Sequence, residues 1–282
     1  MDSFETLTVE RDGLVARIVL DRPERLNSIV EPMPRELRRA VETADADPDV
    51  RVMVLSGAGK GFCGGYDLEV YAEAPGPNPG QQQMPWDPMV DLRLMGANTH
   101  DFMAIWRSQT PVIAQVHGAA VAGGSDIALC CDQIVMAEDA VIGYPPARAW
   151  GIPTTMMWVY RVGLDRAKRL LLTGDLIDGV EAARIGLVSE AVPGDELEAR
   201  VDALVERIAS VPANQLAMAK TVVNQAFDNM GLSSSQLLAT LFDGIARHTP
   251  EGVAFKQRAE DVGWKQAVEE RDAGRPPEPG TI

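Results

Sequence analysis

The sequence predicts an α/β fold that ends in a helical region, and three observations predict it. From residue 5 to about residue 137, β-rich runs and amphipathic helical runs follow one another as strand, strand, helix, strand, helix, strand, helix, strand. From Asp195 onward the apolar periodicity is helical throughout. At 282 residues the chain suits one domain carrying such an extension.

Glu5–Glu10 and Leu14–Asp21 read as a hairpin turning at Asp12-Gly13, the second run alternating around LVARIVL and stopping at Arg22-Pro23. Pro34 opens a helix with Leu37, Ala40, Val41 and Ala44 on one face, which ends near Asp47-Pro48. Val50–Leu55 is a strand, and Ser56–Gly61 is a glycine-rich loop. A short helical piece follows Asp67. Ala74–Pro88 then holds five prolines, two glycines and three glutamines, which makes it a loop or a flap. Within it Trp86 reads as a loop anchor or a lid residue.

A helix over Met89–Ser108 leads to strand Val112–Val116, and strand Gln133–Ala137 follows. Gly143–Thr155 is loop-like until Pro153 starts a helix to about Arg161. Asp165–Leu172 and Gly179–Ile185 are helical, and Leu187–Val192 is a short strand. Helices then cover Asp195–Ser210, Ala213–Asn229, Ser233–Arg247 and Pro250–Val262. The domain reading is a core over 1–194, a helical region over 195–265, and a tail over 266–282 whose prolines and charges predict disorder.

A formal net charge of −15 excludes general nucleic-acid binding, which needs basic surface, but leaves room for a small anion held by local arginines. No run approaches about 18 apolar residues and the first ten lack signal-peptide character, so no membrane span and a cytoplasmic location are expected. Cys63, Cys130 and Cys131 lack metal-ligand spacing and read as small buried hydrophobes, so no metal is expected.

Chemistry concentrates in Val121–Cys131, VAGGSDIALCC. A strand that breaks at glycines and opens a helix leaves backbone N–H groups without partners at the positive end of the helix dipole, where developing negative charge is favoured. Asp126 lies just past that turn in apolar company, where a carboxylate is costly unless it is bonded or at work. Ser125 could be a nucleophile, but G-x-S-x-G is broken by Ile127 and no histidine is placed as its base. His117 reads as a packed histidine.

Five stretches resemble the crotonase (enoyl-CoA hydratase/isomerase) superfamily: LDRPERLNS at 20–28, GKGFCGGYDL at 59–68, PVIAQVHGAAVAGGSDIALCCD at 111–132, LTGDLIDGVEAARIGLV at 172–188 and EGVAFKQR at 251–258. The resemblance implies a spiral of strand-strand-helix units, with a C-terminal helical region that builds homotrimers or hexamers. It also implies an acyl-CoA thioester whose carbonyl oxygen is held by two backbone N–H groups, here those of Tyr66 and Gly123. CoA contacts fall on Arg25, Leu26, Gly64, Phe255 and Lys256. CoA is part of the substrate, and no separate cofactor is implied. Of the two acids usual in hydratases, the first position holds Asp126 and the second holds Pro146, which leaves Asp126 as the sole acid–base residue retained. Trp86, Tyr144, Pro146, Arg148 and Trp150 are candidates for the acyl pocket, Arg148 with an alternative as a surface or contact residue. Hydration, isomerisation or hydrolysis of an acyl-CoA and non-catalytic acyl-CoA binding all remain open at this point.

Overall fold

The computed structural model describes residues 3–78, 80–275 and 277. Strands β1 (Leu7–Asp12) and β2 (Val15–Leu20) form the antiparallel hairpin, turning through Gly13 at φ +56°. Helix α1 (Pro32–Ala46) returns the chain to strand β3 (Val52–Gly57), and α2 (Pro88–Arg107) returns it to β4 (Val112–Val116). Then follow β5 (Ala119–Val121), α3 (Gly123–Leu129), β6 (Gln133–Ala137), β7 (Val141–Gly143), α4 (Met157–Thr173), β8 (Leu176–Asp178), α5 (Gly179–Arg184) and β9 (Glu190–Val192). Helices α6 (Leu197–Ala209), α7 (Ala213–Asn229), α8 (Leu232–His248), α9 (Pro250–Val262) and α10 (Trp264–Asp272) complete the chain.

Two sheets share these strands. The larger runs β1-β2-β3-β4-β6-β9 and is parallel after its first pair; the smaller runs β5-β7-β8. Isolated parallel bridges Ile29↔Tyr66 and Cys63↔Ala120 extend the smaller layer toward the N-terminus. Each turn of chain thus places one segment in each layer before its helix, which produces the strand-strand-helix spiral. Strands β3, β4 and β6 are almost entirely buried, as expected for parallel strands covered on both faces.

Sequence periodicity missed β5, β7 and β8, each three residues long and so too short to show alternation. The two helices expected either side of residue 163 are present as the two halves of α4, separated where Gly163 leaves helical geometry at φ +75° and ψ 175°. The tail expected to be disordered from residue 266 begins inside α10, which packs against α9 and buries Ala267 and Arg271. Residues 276 and 278–282 of that expectation lie outside the described residues. No helix among the described residues is long and apolar enough to cross a membrane.

Candidate active site

The turn into α3 departs from ordinary backbone geometry. Ala122 has φ 54° and ψ −125°, which costs a residue bearing a Cβ on the order of 1–3 kcal/mol. Its N–H donates to the Gly143 carbonyl at 2.9 Å, and its carbonyl accepts from the N–H groups of Ser125 and Asp126. The neighbouring segment packs directly on this turn, since a Cβ on Gly124 would overlap the Cys63 carbonyl oxygen and one on Gly123 would stand 3.1 Å from the Tyr66 ring. In the bridge between Ile29 and Tyr66, Ile29 donates to Gly65 and Asp67 donates to Ile29. The N–H of Tyr66 therefore faces away from that bridge. Neither this N–H nor that of Gly123 has an acceptor among the described residues, and both residues line one cavity. The far end of α3 is held by Arg161, whose guanidinium donates to the carbonyls of Leu129 and Cys131. A cation there complements the negative end of the helix.

The cavity has a volume of about 410 Å³. Its walls come from the 64–71 segment, α2, the β5–α3 turn, the 144–154 segment, α8 and α10. Asp126 lies in it, 3% exposed, and Thr155 Oγ1 donates to its Oδ1 at 2.5 Å. Burial pushes its pKa up to about 7; the Thr155 hydroxyl opposes that shift, the nearby Asp243 charge adds to it, and the amides of Thr155 and Thr154 oppose it. Such a carboxyl can both give and take a proton near neutrality.

A second carboxyl, Asp243 of α8, lines the same cavity and is 4% exposed. Oδ1 accepts from the Ile152 N–H at 3.1 Å, and Oδ2 accepts from Arg247 Nη1. Burial raises its proton affinity, and the Arg247 charge works against that rise. A Cβ built on Gly151 would meet Asp243 Oδ1 at 3.2 Å, Pro146 Cβ at 3.3 Å and Tyr144 Oη at 3.6 Å, so these three groups converge on one spot of the wall. Sequence reasoning assigned this cavity one carboxyl. The signal it passed over is the pair Asp243 and Arg247, spaced i,i+4 on a helix where Ala239, Thr240 and Gly244 are also buried.

Tyr144, Pro146 and Trp150 line the cavity. Trp86 does not. Its Nε1 donates to Asp91 Oδ2 at 2.5 Å and its ring stacks on His248 at 4.6 Å, so it anchors the proline-rich loop to α2 and α8. Arg148 also stands outside the lining, because its guanidinium is taken up by the Thr173 carbonyl, Asp175 and Asp272. Of the residues expected at CoA, Gly64 lines the cavity, its N–H donating to the Leu26 carbonyl. Leu26 takes φ 52°, and exposed Arg25 pairs with Glu69 at 2.5 Å. Phe255 is 0% exposed and packs on Trp150, while Lys256 is 2% exposed and bonds the Ala74 carbonyl and Glu260. Both side chains are therefore buried within this chain. Ser125 Oγ donates to the Ala122 carbonyl at 2.6 Å, and His117 Nε2 meets the Gly59 carbonyl at 3.0 Å, so neither assists the other.

Two unpartnered N–H groups and a carboxyl with a pKa near neutrality, enclosed together, are suited to holding an oxyanion while a proton moves beside it. The family model described as enoyl-CoA hydratase/isomerase matches residues 10–266. The chain belongs to this family. Among solved structures, an enoyl-CoA hydratase from Mycobacterium smegmatis superposes with TM-score 0.91 at 47% identity, covering 96% of this chain and 94% of that one. An enoyl-CoA hydratase/isomerase from Xanthobacter autotrophicus Py2 superposes with TM-score 0.86 at 30% identity, covering 96% and 99%. A protein named "Probable enoyl-CoA hydratase echA8" in Mycobacterium tuberculosis is 33% identical over 234 residues, 80% of this chain and 84% of that relative. The crotonase-type spiral and an acyl-CoA enzyme of the hydratase/isomerase type follow from this membership.

Proposed function

We propose that the protein binds an acyl-CoA thioester with its carbonyl oxygen between the N–H groups of Tyr66 and Gly123, and that Asp126 moves a proton at the α-carbon. The observation that carries this is the meeting of both N–H groups and Asp126 in one cavity. As charge develops on the thioester oxygen, the two donors are already in place, and Asp126 needs no cofactor to exchange a proton with carbon. The Tyr66 ring lies against Gly123 while its hydroxyl accepts from Asn98 Nδ2 at 3.0 Å, so the tyrosine narrows the cavity beside the thioester. Incubation with a panel of enoyl-CoA thioesters, following loss of the conjugated absorbance, tests the reading. Turnover that falls about 10²–10⁴-fold in Asp126→Asn supports it; tight acyl-CoA binding with no turnover of any kind points to a binding protein.

Assembly into a homotrimer or hexamer belongs to the same proposal. What supports it is an apolar face left exposed by Met218, Val222 and Val223 of α7 and Leu237, Leu238 and Phe242 of α8. The particle mass in solution by light scattering tests it.

A further inference from the structure

Two carboxyl groups from distant parts of the chain, Asp126 and Asp243, line one cavity in different electrostatic surroundings. Asp126 meets a hydroxyl and backbone amides. Asp243 carries a guanidinium on Oδ2 and a backbone N–H on Oδ1. Burial raises the proton affinity of both, but a full positive charge opposes the rise at Asp243 and only neutral donors oppose it at Asp126, which suits Asp243 to the role of base and Asp126 to that of acid. We propose that Asp243 is a second catalytic residue: its carboxylate takes a proton from a water molecule that adds to the β-carbon of an α,β-unsaturated thioester, and the protonated Asp126 supplies the proton to the α-carbon.

The assignment rests on the thioester reading above and commits it to hydration. An O–H bond of water breaks toward Asp243 as the new C–O bond forms. The π pair moves through the α-carbon to the carbonyl oxygen, between the two N–H donors. The enolate then collapses, taking the proton of Asp126 to form the α-C–H bond. The proton left on Asp243 returns to Asp126 through solvent, so the net change is one water added to the double bond.

The wall beside Gly151 explains why the base comes from α8. Pro146, at that spot, has no proton to exchange, and Asp243 Oδ1 stands next to it. The charged and titratable groups around Asp243 include Arg247 on its own helix, Asp91 on α2, Asp126 on α3, Tyr66 in the 64–71 segment and Tyr144 in the loop. Arg247 Nη2 also stands 3.7 Å from Asp91 Oδ1, so one cation holds Asp243 in place from its far oxygen.

The test compares two reactions of the full-length protein: hydration of but-2-enoyl-CoA, and exchange of the α-hydrogens of butanoyl-CoA with D2O. Exchange needs Asp126 and the N–H donors only. Asp243→Asn is expected to lower kcat for hydration by about a hundredfold or more, while α-exchange persists with its pH midpoint moved downward, because the Asp243 charge that raises the Asp126 pKa is gone. Asp126→Asn loses both reactions. Hydration at the wild-type rate in Asp243→Asn, or equal loss of hydration and exchange, overturns the assignment. Should that variant fail to fold, the wild-type pH profile decides. Hydration then shows an acidic limb, as Asp243 protonates, and an alkaline limb, as Asp126 ionises. A hydration profile without the acidic limb overturns the proposal. Absence of both reactions in the wild type overturns the thioester reading itself, and is thereby distinguished from failure of the Asp243 role alone.

Discussion

Thr155 donates its hydroxyl proton to Asp126 Oδ1 at 2.5 Å, and both side chains are shut away from solvent, at 0% and 3% exposure. A hydrogen bond to the ionised form of a buried acid partly offsets burial, which drives its pKa the other way. The balance places Asp126 at about 7. Thr155 is therefore the residue that keeps this carboxyl able to titrate near neutrality.

Thr155→Val keeps the volume and removes the donor. The ionised form loses its bond, so the Asp126 pKa rises further, by up to about one pH unit if one ordinary hydrogen bond is lost. Butanoyl-CoA α-exchange, which uses the carboxylate as base, is expected to reach its plateau at correspondingly higher pH. A midpoint unchanged or moved downward would refute the role of Thr155.

Burial also makes Asp126 a liability for stability. Its folded-state pKa is raised from 3.8 to about 7, so the folded state binds more protons than the unfolded chain between these values. Stability must then fall as pH rises through that window. The full cost above pH 7 is on the order of 4 kcal/mol. Asp126→Asn is expected to melt above wild type at pH 8.5, with the gap closing toward pH 4. Thermal melts of both proteins across this range measure it directly.

At Gly124 the constraint is steric. A methyl group there would overlap the Cys63 carbonyl oxygen, and neither backbone can yield without moving the Ala122–Gly123 turn. Gly124→Ala is expected to cost about 1–3 kcal/mol in a urea titration. Displacing the Gly123 N–H by about 1 Å lowers turnover on the order of a hundredfold in the fraction that folds. Full activity in a folded Gly124→Ala protein would contradict the placement of that N–H.

Local patterns made most of this architecture legible. β4, β6, α7 and α9 read directly from short apolar runs, helical periodicity and proline starts. The turn at Ala122–Asp126 was visible as a glycine pair before an apolar run containing one acid. Asp243 was not, because its meaning depends on α8 folding back over a loop about 90 residues earlier, and no local pattern encodes that approach. For Trp86 and Arg148 the sequence left two readings each, anchor or lid for one and pocket or contact residue for the other, for the same reason. Each has the residue type of a pocket lining, but tertiary partners, His248 and Asp91 for one and Asp175 and Asp272 for the other, claim the side chain.

The helical region is fastened to the core by a buried ion pair, which gives the last prediction. Lys220 of α7 is 8% exposed; its Nζ lies 2.7 Å from Asp132 Oδ2 and donates to the Ile105 carbonyl, Ser108 Oγ and the Thr110 carbonyl. Asp132 in turn accepts from the Val112 N–H at 2.7 Å at the start of β4. Lys220→Met fills most of the volume but leaves a largely buried carboxylate without its cation, a loss of about 3–5 kcal/mol. Burial already raises the Asp132 pKa and the Lys220 charge opposes the rise, so removing the lysine raises it further. The folded variant then binds a proton that the unfolded chain has released, and its deficit must grow as pH climbs above the ordinary carboxylate range. Urea titrations at pH 5 and pH 8 should show the larger deficit at pH 8. Adding Asp132→Asn should recover most of it, and if the double variant is no more stable than Lys220→Met at pH 8, the charge pair is not what joins α7 to β4.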